Sequence, residues 1–378
     1  SLTKTGTGTA TVGGTNTYPG ATTVNTGTLS AASSGALGTS AGGTTVASGA
    51  ALELQGGITV ADAISLTGTG VSGAGVLRNL SGSNTLTGLV TMTGHTEIQS
   101  DTGSLSLSPS SGNAITGNYN LSFDGAGNTT VVGPVATGAG TLTKNGTGTL
   151  TLSAANTYTG ATTINAGTLV VENNAPTFTT SGYSGAGSLV IQSSGASFTS
   201  PVLFDKAISG LAGLTIGKTT NTANVSALYS LSVGGPVRIY GGNVFLADNL
   251  ASTAGGQLVL QGTGDVTVMG NVSTTSTFSA TAGAANSFVM GMNYGTGLGS
   301  TITADGGVTL SAGTSYLAGN ITTVGTGISV TGNVQLANLS ATPATNPVTF
   351  NSGGGAITLT GGTVSGFSGT VADYGLVG

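Results

Sequence analysis

Few side chains in this sequence are able to do acid–base or metal chemistry. The chain has 378 residues, of which six are basic, 11 are acidic and one is His. The closest set is His95, Glu97 and Asp101 in TGHTEIQSD, and Arg78 precedes it in the sequence. In an extended strand His95 and Glu97 share a face, because alternate residues point the same way. The set predicts either a small acid/base or metal site or, as is more common, a solvated pair on a strand face.

Two glycine-containing motifs resemble ligand-binding loops. The segment AGLTIGKT, residues 212–219, fits a relaxed phosphate-binding loop through Gly217, Lys218 and Thr219. Such a loop needs a following helix whose N-terminus faces the phosphates, and the residues that follow have no helical period. DGAGN at 124–128 is similar to a calcium-binding turn, but the GGxGxD series is absent. We expect a strand and a corner at the first motif and a corner turn at the second.

The remaining candidates have simpler structural interpretations. Asp205 and Lys206 are adjacent, and we expect a surface charge pair that contributes little to stability. Tyr18 and Tyr158 each follow Asn-Thr, and we expect them to cover an apolar stack at a corner, with carbohydrate stacking as the alternative. The sequence therefore predicts no catalytic, cofactor-binding or metal-binding residues and no cofactor.

Composition indicates an all-β protein. Charged residues make up 4% of the chain, and Thr, Ser and Asn fill the polar positions that Glu, Lys and Arg occupy in helical proteins. Thr with Val, Ile and Leu suits strands. A net charge of −5 excludes an electrostatic nucleic-acid interface. No apolar run is long enough to span a membrane as a helix, and Cys is absent, so membrane insertion, disulfides and thiolate sites are excluded.

One segment of the chain occurs twice. Residues 2–29 read LTKTGTGTATVGGTNTYPGATTVNTGTL and residues 142–169 read LTKNGTGTLTLSAANTYTGATTINAGTL, with 19 of 28 aligned positions identical. This degree of identity indicates a duplication. Within the second copy Leu150 and Leu152 alternate with Thr, which is the period of a strand. We expect both copies to occupy equivalent coils, with Leu150, Leu152, Ile164 and Leu169 inward and Lys144 outward.

Short strands separated by glycine-rich corners continue through the whole chain. Tight two-residue hairpin turns are rare, which favours a coil wound helically over a meander. We predict a single elongated parallel β-solenoid, with residues 1–170 holding the two copies and residues 171–378 a more divergent continuation. At about 20 residues a coil and about 4.8 Å between coils, the chain makes roughly 19 coils and a rod about 90 Å long. Inward Asn residues are expected to form amide ladders between coils.

The duplicated motif resembles the autotransporter-associated β-strand repeat of passenger domains of bacterial type V secreted proteins. GAGVLRNLSGSNTLTGLVTM, residues 73–92, is similar to the sequence between such repeats, whereas residues 171–378 resemble filamentous-haemagglutinin-like adhesins only in composition. The resemblance implies a right-handed parallel β-helix, export across the outer membrane and a surface or adhesive role. It supplies no catalytic residues.

These observations predict an extracellular, non-catalytic structural or adhesive solenoid of the bacterial surface. The sequence opens without a signal segment and closes without a translocator, so we expect a passenger, a processed product or a fragment. No amphipathic cap is evident at either end, which predicts self-association end to end or side by side into a fibre. Surface glycans or other cell surfaces are further possible partners. The alternatives are a glycan-active lyase or hydrolase on the same fold and a stalk that presents another domain.

Overall fold

The computed structural model describes residues 1–291, 299–336, 348–366 and 370–371 of the chain. It divides the chain into two compact units, Ser1–Leu189 and Val190–Gly378. Within the described residues the structure is strands and corners, and its one helical segment is the short 3-10 turn Val71–Gly73. The predicted all-β class is confirmed. The predicted division at residue 170 concerns the type of repeat and stays a prediction.

The first unit contains short strands in close succession. They are Leu2–Lys4, Thr9–Val12, Thr22–Val24, Gly27–Ala31, Thr44–Val46, Ala50–Gln55, Thr59–Val60, Ile64–Gly68, Leu77–Ser81, Ser83–Leu86, Val90–Ser100, Ser104–Leu107, Ile115–Thr116, Leu121–Asp124, Asn128–Val131, Val135–Ala136, Leu142–Lys144, Thr149–Leu152, Thr162–Ile164, Thr168–Glu172 and Tyr183–Ser184. The strand Ser188–Gln192 contains the division between the units.

The second unit has three parallel sheets, and most coils contribute one strand to each. Sheet I comprises Gly213–Ile216, Val237–Gly241, Leu258–Gly262, Thr277–Thr281, the first parts of Gly307–Leu317 and Ile328–Leu336, and Ile357–Thr360. Sheet II comprises Val202–Phe204, Val225–Ala227, Val244–Leu246, Val266–Val268, Ser287–Met290, the second parts of the same two long strands, and Val364–Gly366. Sheet III comprises Leu231–Val233, Leu250–Ser252, Val272–Thr274, Ile302–Ala304, Ile321–Thr322, Thr349–Asn351 and Thr370–Val371, and the short strand Ile208–Ser209 lies before these.

Strands of successive coils pair in parallel and in register, so the predicted β-solenoid is confirmed. Leu2 pairs with Thr22, Thr22 with Thr44 and Thr44 with Ile64, and these coils are close to the predicted length. Other coils are longer, as in the one that leads from Phe278 to its partner Val308. The structure forms about 15 coils, and the estimate of roughly 19 was wrong because coil length is not uniform.

The core consists of inward columns of Leu, Val and Ile that stack from coil to coil. Leu150, Leu152, Ile164 and Leu169 are each at most 1% exposed, as predicted. Leu150 lies in register with Leu169 of the next coil and Leu152 with Val171, so these apolar side chains stack on one another. A single coil cannot remove these side chains from water, and the free energy of the fold therefore comes from stacking, at about 1.5–3 kcal/mol for each large side chain buried.

Amide ladders occur, but most lie outside the core. Asn224 Oδ1 accepts a hydrogen bond from the backbone N–H of Asn243 at 2.8 Å. In the next coil Asn243 Oδ1 accepts from the N–H of Asp265 at 2.9 Å, and Asp265 Oδ1 then accepts from the N–H of Ser287 at 2.8 Å. These side chains lie at coil corners, immediately before a strand. They satisfy N–H groups that a corner would otherwise leave without a partner. The expectation of inward ladders is wrong for these residues, whereas the buried pair Asn79 and Asn84 does lie inside the coil.

Candidate functional site

Stacking gathers charged residues that are far apart in the sequence. Glu53 lies in register with Arg78, Arg78 with Gln99 and Gln99 with Asp124. Asp101 flanks this column. We call Glu53, Arg78, Gln99, Asp101 and Asp124 the charged column. The first unit therefore brings part of its few acids and bases together on successive coils, which a linear reading of the sequence missed because it lacked the register.

Arg78 binds two carboxylates on neighbouring coils. Its Nε donates to Asp101 Oδ2 at 2.8 Å and its Nη1 to Glu53 Oε1 at 2.9 Å. Asp101 Oδ1 accepts from Gln99 Nε2 at 2.6 Å. The hydrogen bond to Asp101 raises the pKa of Arg78, with the negative charges of both carboxylates adding to it and burial opposing it. Glu53, Arg78, Gln99 and Asp101 are linked by these bonds across three coils, so this part of the charged column is an electrostatic clamp between coils.

The predicted set of His95, Glu97, Asp101 and Arg78 is not assembled as one site. Asp101 and Arg78 meet, whereas no ion pair within 4.0 Å joins Glu97 to Arg78 among the described residues. The His95 ring is turned toward Tyr119, edge to face at 6.1 Å between centroids, and its Nδ1 accepts the N–H of Asn120 at 3.2 Å. The register shift between Met92 and Thr96 separates His95 from the regular part of its strand.

The pKa of Glu97 is shifted by its surroundings. Its side chain is buried, and burial raises its pKa, with the negative charge of Asp124 adding to the effect. Two carboxyls in proximity are the minimum that a glycosidase requires. No group of three or more His, Asp or Glu side chains able to hold a metal ion occurs in the described part of the chain.

The direction of the Lys144 side chain differs from the prediction. It was expected to point outward, but only 3% of it is exposed. In Leu142–Lys144 the first and third residues share the inward face, and the strand alternation overrides the preference of a charge for solvent. Its Nζ donates to the carbonyl of Gly146 at the following corner. Burial lowers the pKa of Lys144, and the charge of Asp124 opposes this.

The equivalent Lys4 of the first copy has the same role. Its Nζ donates to the carbonyls of Thr5, Gly6 and Thr26 at 3.0, 2.7 and 3.0 Å. These carbonyls belong to two adjacent corners. A side chain on Gly27, at φ +69°, would lie 2.8 Å from this ammonium. Lys4 therefore joins two corners through their carbonyls, and Lys144 binds a carbonyl of the corner that follows it.

The tyrosines of the two copies lie at corners, where they cover the apolar stack. Tyr158 is 3% exposed, and its hydroxyl is hydrogen-bonded to Thr162 at 2.9 Å. Burial raises the pKa of Tyr158 to about 12, and the bond to Thr162 opposes the shift. Tyr18 makes the matching bond to Thr22 at 2.8 Å. Because the Tyr158 ring is inside the coil, it is unavailable for stacking on a sugar, and the corner-cover interpretation is confirmed for it.

The loop-like motifs have the predicted structural roles. AGLTIGKT contains the strand Gly213–Ile216 and a corner at Gly217, and the Lys218 ammonium donates to the carbonyl of Gly195 at 2.9 Å. No helix follows this motif within the described residues. DGAGN joins the ends of Leu121–Asp124 and Asn128–Val131. Asp205 and Lys206 form the expected partly exposed pair at 3.3 Å.

Two outward faces of the second unit have distinct chemistry. On sheet I, four successive coils each place two hydroxyl side chains outward in register; these are Ser279, Thr281, Thr309, Ser311, Ser329, Thr331, Thr358 and Thr360. On sheet II, the outward positions include exposed Leu203, Leu228 and Phe245. We call these the hydroxyl face and the apolar face. The outward side chains of both faces lie outside the core.

Comparisons with known proteins agree with the duplicated motif. The model of the passenger-associated-transport repeat matches residues 2–31 and 142–171. These two segments are similar to the passenger-associated-transport repeat. In each repeat the structure shows the buried Lys, the corner Tyr and the strand pairs described above. The predicted resemblance to autotransporter passenger repeats is confirmed.

A relative named as an adhesin extends the comparison. The BmaC autotransporter adhesin of Brucella suis biovar 1 (strain 1330) is 36% identical over 169 residues, which cover 44% of this chain. The chain spans about 4% of the length of that protein. No solved structure matches the chain significantly. Among the described residues no helix is long and apolar enough to cross a membrane.

Proposed function

We propose that this chain is a non-catalytic segment of a secreted adhesive passenger at the bacterial surface. The observation that carries the proposal is the outward surface of the second unit. It places hydroxyl columns on one sheet face and large apolar side chains on another, both repeated at the spacing of the coils. These side chains lie outside the core, and exposed apolar clusters are typical of surfaces that bind partners.

The repeats and the named relative support the same function. The residues shared by both repeats are used to join coils, through Lys4 and Lys144 and through Tyr18 and Tyr158. Adhesion is named for the Brucella relative, and we propose it for this chain. The candidate partners are glycans or other components of cell surfaces, and copies of the chain itself. Export and exposure at the cell surface are part of the proposal.

A glycan-active enzyme is the second candidate, and one observation favours it. Glu97 and Asp124 are two acids near enough to interact on a parallel solenoid. Against this role, Asp124 Oδ1 accepts the backbone N–H of Gly125 at its own corner, and the nearby Lys144 ammonium is held by a carbonyl. These contacts favour a structural role for the pair.

Attachment of coated beads tests the proposal. Beads carrying the full chain are expected to attach to cell monolayers or immobilised glycans, and uncoated beads are not. A variant with Thr281→Glu, Thr309→Glu and Thr331→Glu places charge on the hydroxyl face without touching the core, and its attachment should fall. Wild-type beads that attach no better than uncoated ones on every surface, including one coated with the chain itself, would refute an adhesive role.

A further inference from the structure

Asp62 is an acid that the sequence pattern places inside the first unit. It lies in the corner between Thr59–Val60 and Ile64–Gly68, and buried and exposed residues alternate across this corner. Alternate residues of an extended backbone point the same way, so Asp62 shares the inward direction of Val60 and Ile64. Only 3% of Asp62 is exposed. The alternation therefore buries a carboxyl group in the coil.

The buried carboxyl has a single hydrogen-bond donor. Thr44 Oγ1, on the preceding coil, donates to Asp62 Oδ2 at 2.7 Å, and no other hydrogen bond to this carboxyl occurs among the described residues. In the same part of the chain, no ion pair within 4.0 Å joins Asp62 to a basic side chain. A buried carboxylate needs several donors or a cation to replace its hydration. Asp62 is therefore better accommodated in the coil as the uncharged acid than as the carboxylate.

The coils on either side of Asp62 bring hydroxyl groups and backbone to it. The preceding coil contributes Thr44, and one coil earlier Thr22 lies in register with Thr44 and is hydrogen-bonded to the Tyr18 hydroxyl at 2.8 Å. The following coil contributes backbone, since a Cβ added to Gly88 would lie 1.8 Å from the Asp62 carbonyl oxygen. None of these groups carries a positive charge. Burial raises the pKa of Asp62, and the bond from Thr44 opposes the shift.

We propose that Asp62 is a pH-sensitive weak point of the coil stack, closed while its carboxyl is protonated and opening locally once the carboxyl ionises. Ionisation leaves a charge in a buried corner, and local opening lets water reach that charge. The opening breaks the two backbone hydrogen bonds that flank the corner. The Thr44 N–H donates to the Ala63 carbonyl at 2.9 Å, and the Ile64 N–H donates to the Leu89 carbonyl at 2.9 Å. This inference does not depend on the proposed adhesive function and adds a response to pH.

The direction of the response follows from the linkage between proton binding and folding. A carboxyl whose pKa is raised by folding binds its proton more tightly in the folded state than in the unfolded state. The cost of burying Asp62 therefore appears as the pH rises above the ordinary Asp value of about 3.9, and it is complete once the folded carboxyl has ionised. The corner is tighter in acid. Glu97 shifts stability in the same direction, so a variant has to isolate the contribution of Asp62.

Hydrogen exchange of the full chain at about pH 4 and about pH 8, followed by mass spectrometry, tests the inference. Asp62→Asn keeps the shape of the side chain and an acceptor for Thr44, but it cannot ionise. Comparison of the two proteins at one pH cancels the intrinsic effect of pH on exchange. Peptides that contain Thr44 or Ile64 should exchange equally in both proteins at the lower pH, and faster in the wild type at the higher pH. Asp248→Asn makes the same change at an exposed acid and should match the wild type in these peptides at both pH values.

A second variant tests the same inference with Asp62 in place. Thr44→Val removes the one donor to the carboxyl, and this bond favours the charged form of Asp62. The melting temperature of Thr44→Val should therefore lie further below that of the wild type at the higher pH than at the lower one. A Thr44→Val loss that does not grow with pH, or Asp62→Asn peptides that exchange as fast as the wild type at the higher pH, would overturn the inference. If Asp62→Asn fails to fold, the result for Thr44→Val decides.

Discussion

Replacement of Arg78 tests whether the charged column holds coils together. Arg78→Met keeps much of the aliphatic stem and removes the guanidinium that bridges Asp101 and Glu53. It leaves two carboxylates, on the coils before and after that of Arg78, without their shared cation. The Glu53 side chain is 10% exposed and that of Asp101 is 20%, so solvent replaces the lost contacts only in part.

The size of the effect follows from these contacts. Removal of one partner of a buried ion pair costs about 3–5 kcal/mol, and partial exposure here reduces the value. Net contributions of single hydrogen bonds to charged groups are about 1.5–3 kcal/mol. We expect Arg78→Met to lower the free energy of unfolding by about 2–4 kcal/mol at pH 7.

Urea unfolding followed by circular dichroism measures this change, with Arg238→Met as the matched control. Arg238 lies on the outward face of sheet I and makes no ion pair within 4.0 Å among the described residues. Its replacement should change stability by about 0.5 kcal/mol or less. Equal effects of the two substitutions would refute the role of the column.

Three further substitutions follow from the same structure. Leu152→Asp places an unpaired charge at a side chain 1% exposed, and we expect a loss of about 3–5 kcal/mol or failure to fold, seen by thermal melting against the outward control Thr151→Asp. Gly160→Ala puts a Cβ 2.3 Å from the carbonyl oxygen of Gly140, whereas Gly8→Ala meets nothing within 4 Å; the first should lower the melting temperature and the second should not. Burial raises the folded-state pKa of Glu97, so the folded state binds its proton more tightly and this residue lowers stability as pH rises above about 4.3. Glu97→Gln should therefore be at least as stable as the wild type in urea at pH 7, and a variant clearly less stable than the wild type at that pH would contradict the assignment.

The sequence was sufficient to predict the fold and the core of the repeats. Alternation of Leu150 and Leu152 with Thr indicated their inward direction, and the copied segment indicated the family of the repeat. Both are local patterns that a linear reading detects. The position of Lys144 was wrong, because its charge was weighed above the alternation that places it inward.

The charged column and the apolar face can be identified only from the strand register, which cannot be read from the sequence. Glu53 and Asp101 are far apart in the sequence. Both contact Arg78 only because the coils stack with Arg78 between them. Coil length varies along the chain, so no fixed period in the sequence aligns Leu203 with Phe245.

Paired assays on one preparation test the central claim most directly, namely that function lies in the outward faces and not in the acids of the first unit. Beads coated with the wild type, with Glu97→Gln and with the hydroxyl-face variant are compared for attachment to cells, glycans and chain-coated surfaces, and the same proteins are assayed for cleavage of polysaccharides. The account predicts attachment by the wild type and by Glu97→Gln, reduced attachment to cells or glycans by the face variant, and no cleavage by any of them. Polysaccharide turnover that disappears in Glu97→Gln, with attachment absent in the wild type, would contradict it.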